Sequence, residues 1–459
     1  MKKLNSGTKA VWGISEIGFS ITATLETAFF LFFLTDVAML PLAISGAIAA
    51  ASGLVDAVTA LIAGVILDKF NFKSGKYRPW LMYAPLAAMV FFILSFTKIG
   101  GDVAAGVIIA IAYVISHFFW NLAYTANRSM TNVLTDDPNE RAFLSGRLGA
   151  GAALGRVCAS LLVPNLTAAL TSMVTGVMAY TITAGLVSIL YIICYGIHFA
   201  VTKGSEEPAD PDAPKAAARS ISFADMGRNL ISNPNLILIF LHDMMRLIAY
   251  YTMAAGTAYY CRVVLGDPTA SSTLLMVFYI GCFLGSFVAS RVAKVIGTKM
   301  TTIVGMGGWI VIWVIAYFLN PGFMLLNVLM FLSQVSFGLA YGLTANLYSM
   351  CGTYAYWKTG KNTMGVTMSF LTLSIKLGVA LRGIVIPAFL GFIAYDATAT
   401  TFDAAAQGGI SFMYFLLPVI ILAISLVPFL FFRIKDDDIP KMNAEIAERE
   451  SKANAEAAA

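Results

Sequence analysis

Twelve apolar runs, each long enough to cross a bilayer, follow one another along the chain and decide what it can fold into. They cover about residues 11–38, 42–68, 79–98, 102–134, 144–169, 173–201, 235–264, 269–296, 301–319, 321–352, 362–394 and 408–433. A bilayer core of about 30 Å takes roughly 20 helical residues. Inside it every backbone N–H and C=O needs an internal partner, so each run is expected to be a helix. With 59% of 459 residues hydrophobic and 12% charged, a soluble globule could not cover its apolar surface. The expected fold class is an all-α membrane protein with twelve transmembrane helices, with the lipid bilayer as its surroundings.

Charge sets the expected orientation. Lys69, Lys73, Lys76 and Arg78 follow the second run, Arg291, Lys294 and Lys299 the eighth, and Lys358 and Lys361 the tenth. Loops after the first, third, fifth, ninth and eleventh runs nearly lack Lys and Arg, Lys98 excepted. The positive-inside rule then places both termini in the cytoplasm of a cell (inner) membrane. The net charge of +5 reports topology and gives no reason to expect a nucleic-acid partner. Cys158, Cys194, Cys261, Cys282 and Cys351 lie in or at the ends of apolar runs, so no disulfide framework is expected. Met1 to Lys9 is short and basic, and the run after it is too long for a signal peptide.

Residues 202–234 differ from their surroundings. KGSEEPADPDAPKAAARS is polar and rich in Pro and Ala, the composition of a linker, and SFADMGRNLISNPN has the pattern of a short surface helix. The expected domains are an N-terminal six-helix bundle (1–201), a cytoplasmic linker (202–234), a C-terminal six-helix bundle (235–433) and a cytoplasmic tail (434–459). The charged, Ala-rich tail is expected to be a frayed helix. Two six-helix halves suggest the internal repeat of major-facilitator transporters. Gly64, Asp68-Lys69 and Gly75-Lys76 resemble the facilitator loop motif, and Gly285, Arg291 and Gly297-Thr298-Lys299 echo it in a slipped register.

Ionisable groups in membrane spans are expensive and mark function. Glu26, Asp56, Arg156, Arg246 and Lys376 fall near mid-depth, with the phenol Tyr124; Glu16, Arg128, Arg147, Asp243 and Arg382 fall nearer the ends of their runs. Asp243 and Arg246 are three apart on one helix face and can neutralise each other. Asp56 and Lys376 belong to different halves at similar depth, where a transporter's central site lies. Asp56 is expected to take a proton or a cation, the alternative being a structural bridge to Lys376. Trp120, Tyr124 and Arg128 are spaced i, i+4, i+8, with Asn121 on the neighbouring stripe. An indole, a phenol, an amide and a guanidinium suit a sugar; the alternative is an aromatic packing stripe with Arg128 reaching for the interface. His117, His198 and His242 sit in three different runs without metal-ligand spacing and are expected to be interior histidines. No P-loop, HExxH or nucleophile arrangement is present, so an enzyme is not expected.

These pieces together resemble the glycoside–pentoside–hexuronide:cation symporter family, the melibiose permease group within the major-facilitator fold. The resemblance rests on FLTD (Phe33–Asp36), Asp56-Ala57, SGKYRPW (Ser74–Trp80), LTDDPNERAFLSGR (Leu134–Arg147), YWKTGKNTMG (Tyr356–Gly365) and Lys376-Leu377-Gly378, in order along nearly the whole chain. It implies two six-helix bundles and alternating-access uptake of a sugar-like solute driven by Na⁺ or H⁺. The family's second helix-II Asp is Ala60 here, and its helix-I Lys-Asp pair is Phe19-Ser20. Its helix-IV Asp is Tyr124, its sugar-stacking Trp is Arg128, and acids before helix XI become Thr353 and Tyr356. Asp56, Arg147 and Lys376 remain at matching positions.

One carboxylate is thin provision for a hard cation, so Asp56 is expected to couple a proton rather than Na⁺, and no resident cofactor or metal is expected. Arg128, Arg156 and Lys376 give a cationic surplus that favours a glucuronide, a hexuronate or a sulfonated sugar, because Arg grips such acids bidentately. The expected solute-binding set is Trp120, Asn121, Tyr124, Arg128, Arg156, Tyr341 and Lys376. Asp68, Lys69, Arg141 and Arg147 are expected to form a cytoplasmic gate, and the chain is expected to work as a monomer. The alternatives on the same fold are an uncoupled carrier or exchanger, and a transporter of lipids or amphiphiles.

Overall fold

The computed structural model describes residues 5–70, 72, 75–135, 137–206 and 223–458. The central part of the expected linker, 207–222, lies outside that set, as do Lys73 and Ser74 of the basic loop and Asp136. The first six crossings are Ser6–Val37, Leu42–Lys69, Trp80–Ser95, Asp102–Leu134, Pro138–Thr171 and Gly176–Val201. The short helix Phe223–Ser232 precedes six more: Pro234–Val263, Ala270–Ile296, Thr298–Leu319, Phe323–Thr359, Met364–Phe392 and Ala404–Leu430. Among the described residues the only β pairing is an isolated bridge between Phe72 and Gly75.

The helices end where the chain carries end signals. Asp137 caps the fifth crossing by accepting from the Asn139 N–H, with Pro138 at the first helical position. Thr175 caps the sixth in the same way through Met178. The third helix is the short one, 16 residues or about 24 Å. The tenth continues to Thr359, about two turns beyond the expected 352. Its added turns carry Tyr356 and Trp357, which face a docked tail. That tail is helical over Asp438–Ala458. Trp357 Nε1 donates to Glu445 at 2.7 Å and Arg449 donates to the Trp357 carbonyl at 2.6 Å.

The described chain packs as two compact units. One gathers residues of Met1–Arg219, Tyr251–Tyr279 and Ala380–Met413. Within it the first crossing lies against the fifth and sixth, and the fourth against the second and third. The first and fifth meet through glycines: a Cβ on Gly151 would fall 2.0 Å from the Gly13 carbonyl oxygen. The loop before the third crossing is held by Glu206, whose carboxylate accepts from the N–H groups of Tyr77 (2.9 Å) and Arg78 (2.7 Å). Gly75 turns that loop at φ +121°, a region closed to most L side chains.

The other unit gathers residues of Ser220–Tyr250, Ile280–Val379 and Tyr414–Ala459. Leu236, Ile239, Tyr348, Phe370, Phe429 and Phe432 meet in its apolar core. Its eighth and tenth crossings approach through Gly285 and Gly338, the small-residue packing of membrane helices. The surface helix Phe223–Ser232 is anchored by Asn229, which exchanges hydrogen bonds with Thr363 and Thr367.

Candidate functional site

Asp56 is 6% exposed, inside the second crossing. A buried carboxylate needs donors. Asn121 of the fourth crossing supplies one, its amide lying 2.7 Å from Asp56 Oδ1 and 2.9 Å from Thr59 Oγ1. The Thr59 hydroxyl in turn donates to the Asp56 carbonyl at 3.1 Å. Two of the expected site residues, Asp56 and Asn121, therefore form one polar cluster.

Trp120 turns elsewhere. Only 4% exposed, it is ringed by Phe19, Phe92, His117 and Tyr191 at centroid distances of 5.2–5.8 Å. Here the packing-stripe reading describes its surroundings better than an open stacking platform. Tyr124 is half-buried, with Phe19 at 4.8 Å and the Arg128 guanidinium over its ring at 5.1 Å. Arg128 Nη2 lies 2.9 Å from the carboxylate of Glu16. Glu16 is 2% exposed and also feels Arg156. Both Arg128 and Arg156 thus act on the one Glu16 carboxylate.

Of the expected gate, Arg147 donates to the Ala10 carbonyl at 2.6 Å and the Lys9 carbonyl at 3.3 Å. Arg141 donates to the Thr135 carbonyl at 2.8 Å. Both tie down backbone within one unit. Lys69 is exposed, and the Asp68 side chain lies outside the description. In the other unit, Asp243 and Arg246 pair as their spacing requires, and the Tyr348 hydroxyl reaches Asp243 and Ser374. Tyr341 lies 5.5 Å from the Arg246 guanidinium, and Lys376 is partly buried.

Two clusters are absent from the expected site. Glu26 lies in a widened π turn, Leu25–Phe29, of the kind found at functional positions. Its carboxylate accepts from the Tyr113 hydroxyl and faces His117 Nε2 at 3.1 Å, while Arg382 donates to the neighbouring Thr27 carbonyl. His117 is thus no isolated interior histidine, unlike His198 and His242, which contact Asn127 and the Ser425 carbonyl. Asp36, in a second π turn, pairs with Arg262 and accepts from Tyr395 at 2.6 Å, while the neighbouring Thr35 bonds Tyr259 at 2.7 Å. The ends of the first and seventh crossings meet there with the loop after the eleventh.

Known proteins resemble the chain along most of its length. The isoprimeverose transporter of Lactiplantibacillus pentosus is 25% identical over 97% of this chain and 92% of its own. A protein of Escherichia coli (strain K12) named as a sulfoquinovose importer is 26% identical over 88% and 86%. A bacterial homologue of the human lysosomal transporter Spinster superposes with a TM-score of 0.65 at 14% identity, covering 92% of this chain and 95% of that one, which shows that the two share a fold. The model of the MFS/sugar transport protein family matches residues 11–436. The chain therefore belongs to the MFS/sugar transport protein family.

Proposed function

We propose that the chain carries an anionic sugar derivative across the membrane by alternating access, in symport with a proton taken up at Asp56. The observation that carries the reading is the pair of opposed charges in apolar helices. A single buried carboxylate sits beside an amide and a hydroxyl at Asp56, and the guanidiniums of Arg128 and Arg156 both act on Glu16. One carboxylate suits a proton better than a metal cation. Guanidiniums suit a carboxylate or sulfonate. The sulfoquinovose importer among the relatives supports the anion, since sulfoquinovose is a sulfonated sugar; the isoprimeverose transporter supports the sugar frame. The basic loops support cytoplasmic termini, and six crossings on either side of the linker suit the two-bundle plan of an alternating-access carrier.

Uptake into proteoliposomes tests the reading. A labelled glucuronide and its neutral glycoside are compared with and without an inward proton gradient. Gradient-dependent accumulation of the glucuronide is the expected result, and Asp56→Asn is expected to abolish accumulation while sparing exchange. Preference for the neutral glycoside overturns the anion. Undiminished accumulation by the Asp56→Asn variant overturns Asp56 as the coupling group.

A further inference from the structure

Glu26 and His117 raise a question of hydrogen counting. His117 Nδ1 lies 3.1 Å from the Tyr113 carbonyl oxygen, which can only accept, so Nδ1 carries a hydrogen. His117 Nε2 lies 3.1 Å from Glu26 Oε2. The other carboxylate oxygen, Oε1, already accepts from the Tyr113 hydroxyl. If Glu26 is ionised, Oε2 can only accept, and Nε2 must carry a second hydrogen. If the imidazole is neutral, Nε2 is a bare lone pair, and Oε2 must carry the hydrogen. Either way this geometry holds one proton more than a neutral imidazole beside a carboxylate. Without it two lone pairs face each other at 3.1 Å in a site where Glu26 is 6% and His117 5% exposed.

We infer that Glu26 and His117 form a proton-binding site of their own, separate from Asp56, and that the arrangement seen is its loaded state. Loading is a proton transfer alone: water on one side of the membrane gives up one proton, the Nε2–Oε2 pair gains it, and no bond between heavy atoms changes. Arg382 makes the load matter to the rest of the chain. It is 2% exposed, comes from the eleventh crossing, and donates to the Thr27 carbonyl beside Glu26. Its Nε has no partner among the described residues. The triad of Glu26, His117 and Arg382 is neutral when empty and +1 when loaded. The other titratable groups facing it are Tyr113 on the fourth crossing, Asp56 on the second, and Tyr251 and Tyr259 on the seventh. The ring stack of Tyr113 on His117, at 3.8 Å, holds the imidazole in line with the carboxylate.

The chain has three histidines, which makes the test direct. The full-length protein is labelled with ¹⁵N-histidine, placed in lipid nanodiscs, and its imidazole nitrogens are followed by NMR from about pH 5 to 9, the range of histidine titration. The His117 signal is identified by its loss in His117→Asn. The expected result is a His117 titration whose proton affinity changes at least tenfold in Glu26→Gln and in Arg382→Gln, with the His198 and His242 signals unmoved. A wild-type His117 signal that does not titrate across the range overturns the site without recourse to any variant. A titration indifferent to Glu26→Gln overturns the pairing. No solute enters the measurement, so its outcome is independent of the proposed cargo and of Asp56.

Discussion

Asp36 and Arg262 form an ion pair that ties the end of the first crossing to the end of the seventh. The carboxylate side chain is fully buried, and the guanidinium also reaches the Ala397 carbonyl at 2.9 Å, on the loop after the eleventh crossing. Removing one partner of a buried pair leaves the other charge uncompensated, at a cost of about 3–5 kcal/mol. Asp36→Asn is therefore expected to loosen this face. Cys261, 0% exposed and next to Arg262, reports it. Its alkylation by a membrane-impermeant maleimide, read by peptide mass spectrometry, should speed up at least tenfold. An unchanged rate would show that the pair does not hold the face shut. Arg262→Lys should give an intermediate rate, since an ammonium cannot fork between Asp36 and Ala397.

Arg128 and Glu16 make a second pair with a different division of labour, because Arg128 is 40% exposed by side chain and Glu16 only 2%. Arg128→Gln is expected to destabilise the fold by about 1–3 kcal/mol, discounted for that exposure. Glu16→Gln in the same chain should restore most of the loss, visible as a non-additive thermal denaturation cycle. Transport should not return with it. A double variant that regained glucuronide uptake would reduce Arg128 to the neutraliser of Glu16.

What the chain discloses before folding follows from what is local. Apolar runs are local, so all twelve crossings are legible, including the short Trp80–Ser95. The end of the tenth is not, because Tyr356 and Trp357 pack against a tail 88 or more residues on rather than against lipid. Depth along a helix is legible and rotation is not. Glu26 stands out as a charge at mid-depth, but its partner His117 lies 91 residues away and Arg382 belongs to the other half of the sequence. The π turns at Leu25–Phe29 and Phe33–Val37 shift rotation further, with no residue pattern to announce them. Asp243 and Arg246 show the converse: three residues apart on one helix, their pairing is legible at once.

The close approach of the eighth and tenth crossings is testable one methyl group at a time. A Cβ on Gly285 would fall 2.1 Å from the Val335 carbonyl oxygen, and one on Gly338 2.3 Å from that of Cys282. Backbone cannot yield as a side-chain tip can, so Gly285→Ala must push the helices apart, at a cost of about 1–3 kcal/mol. Gly307→Ala is the control, since a Cβ there meets nothing within 4 Å. The control should hold or gain slightly, as Ala favours helix over Gly by up to about 1 kcal/mol. Equal melting temperatures for the two variants would sink the packing argument.

The tail helix makes the last prediction. Glu445 and Arg449 bracket Trp357, and Glu450 meets Tyr356, at the end of the tenth crossing. These contacts are exposed and few, so each adds little. Asp436 does a separate job, accepting from the Thr298 N–H at 2.7 Å to cap the ninth crossing, so a truncation must spare it. A chain stopped after Asp437 should keep its fold and lose only the dock. Hydrogen exchange should then quicken about tenfold at the amides of residues 356–360, while those of the ninth crossing's first turn stay as they were. If exchange at 356–360 were unchanged, the last turns of the tenth crossing would be stable without the tail. The extension beyond residue 352 would then have its cause within the helix itself, in the αL stop at Gly360.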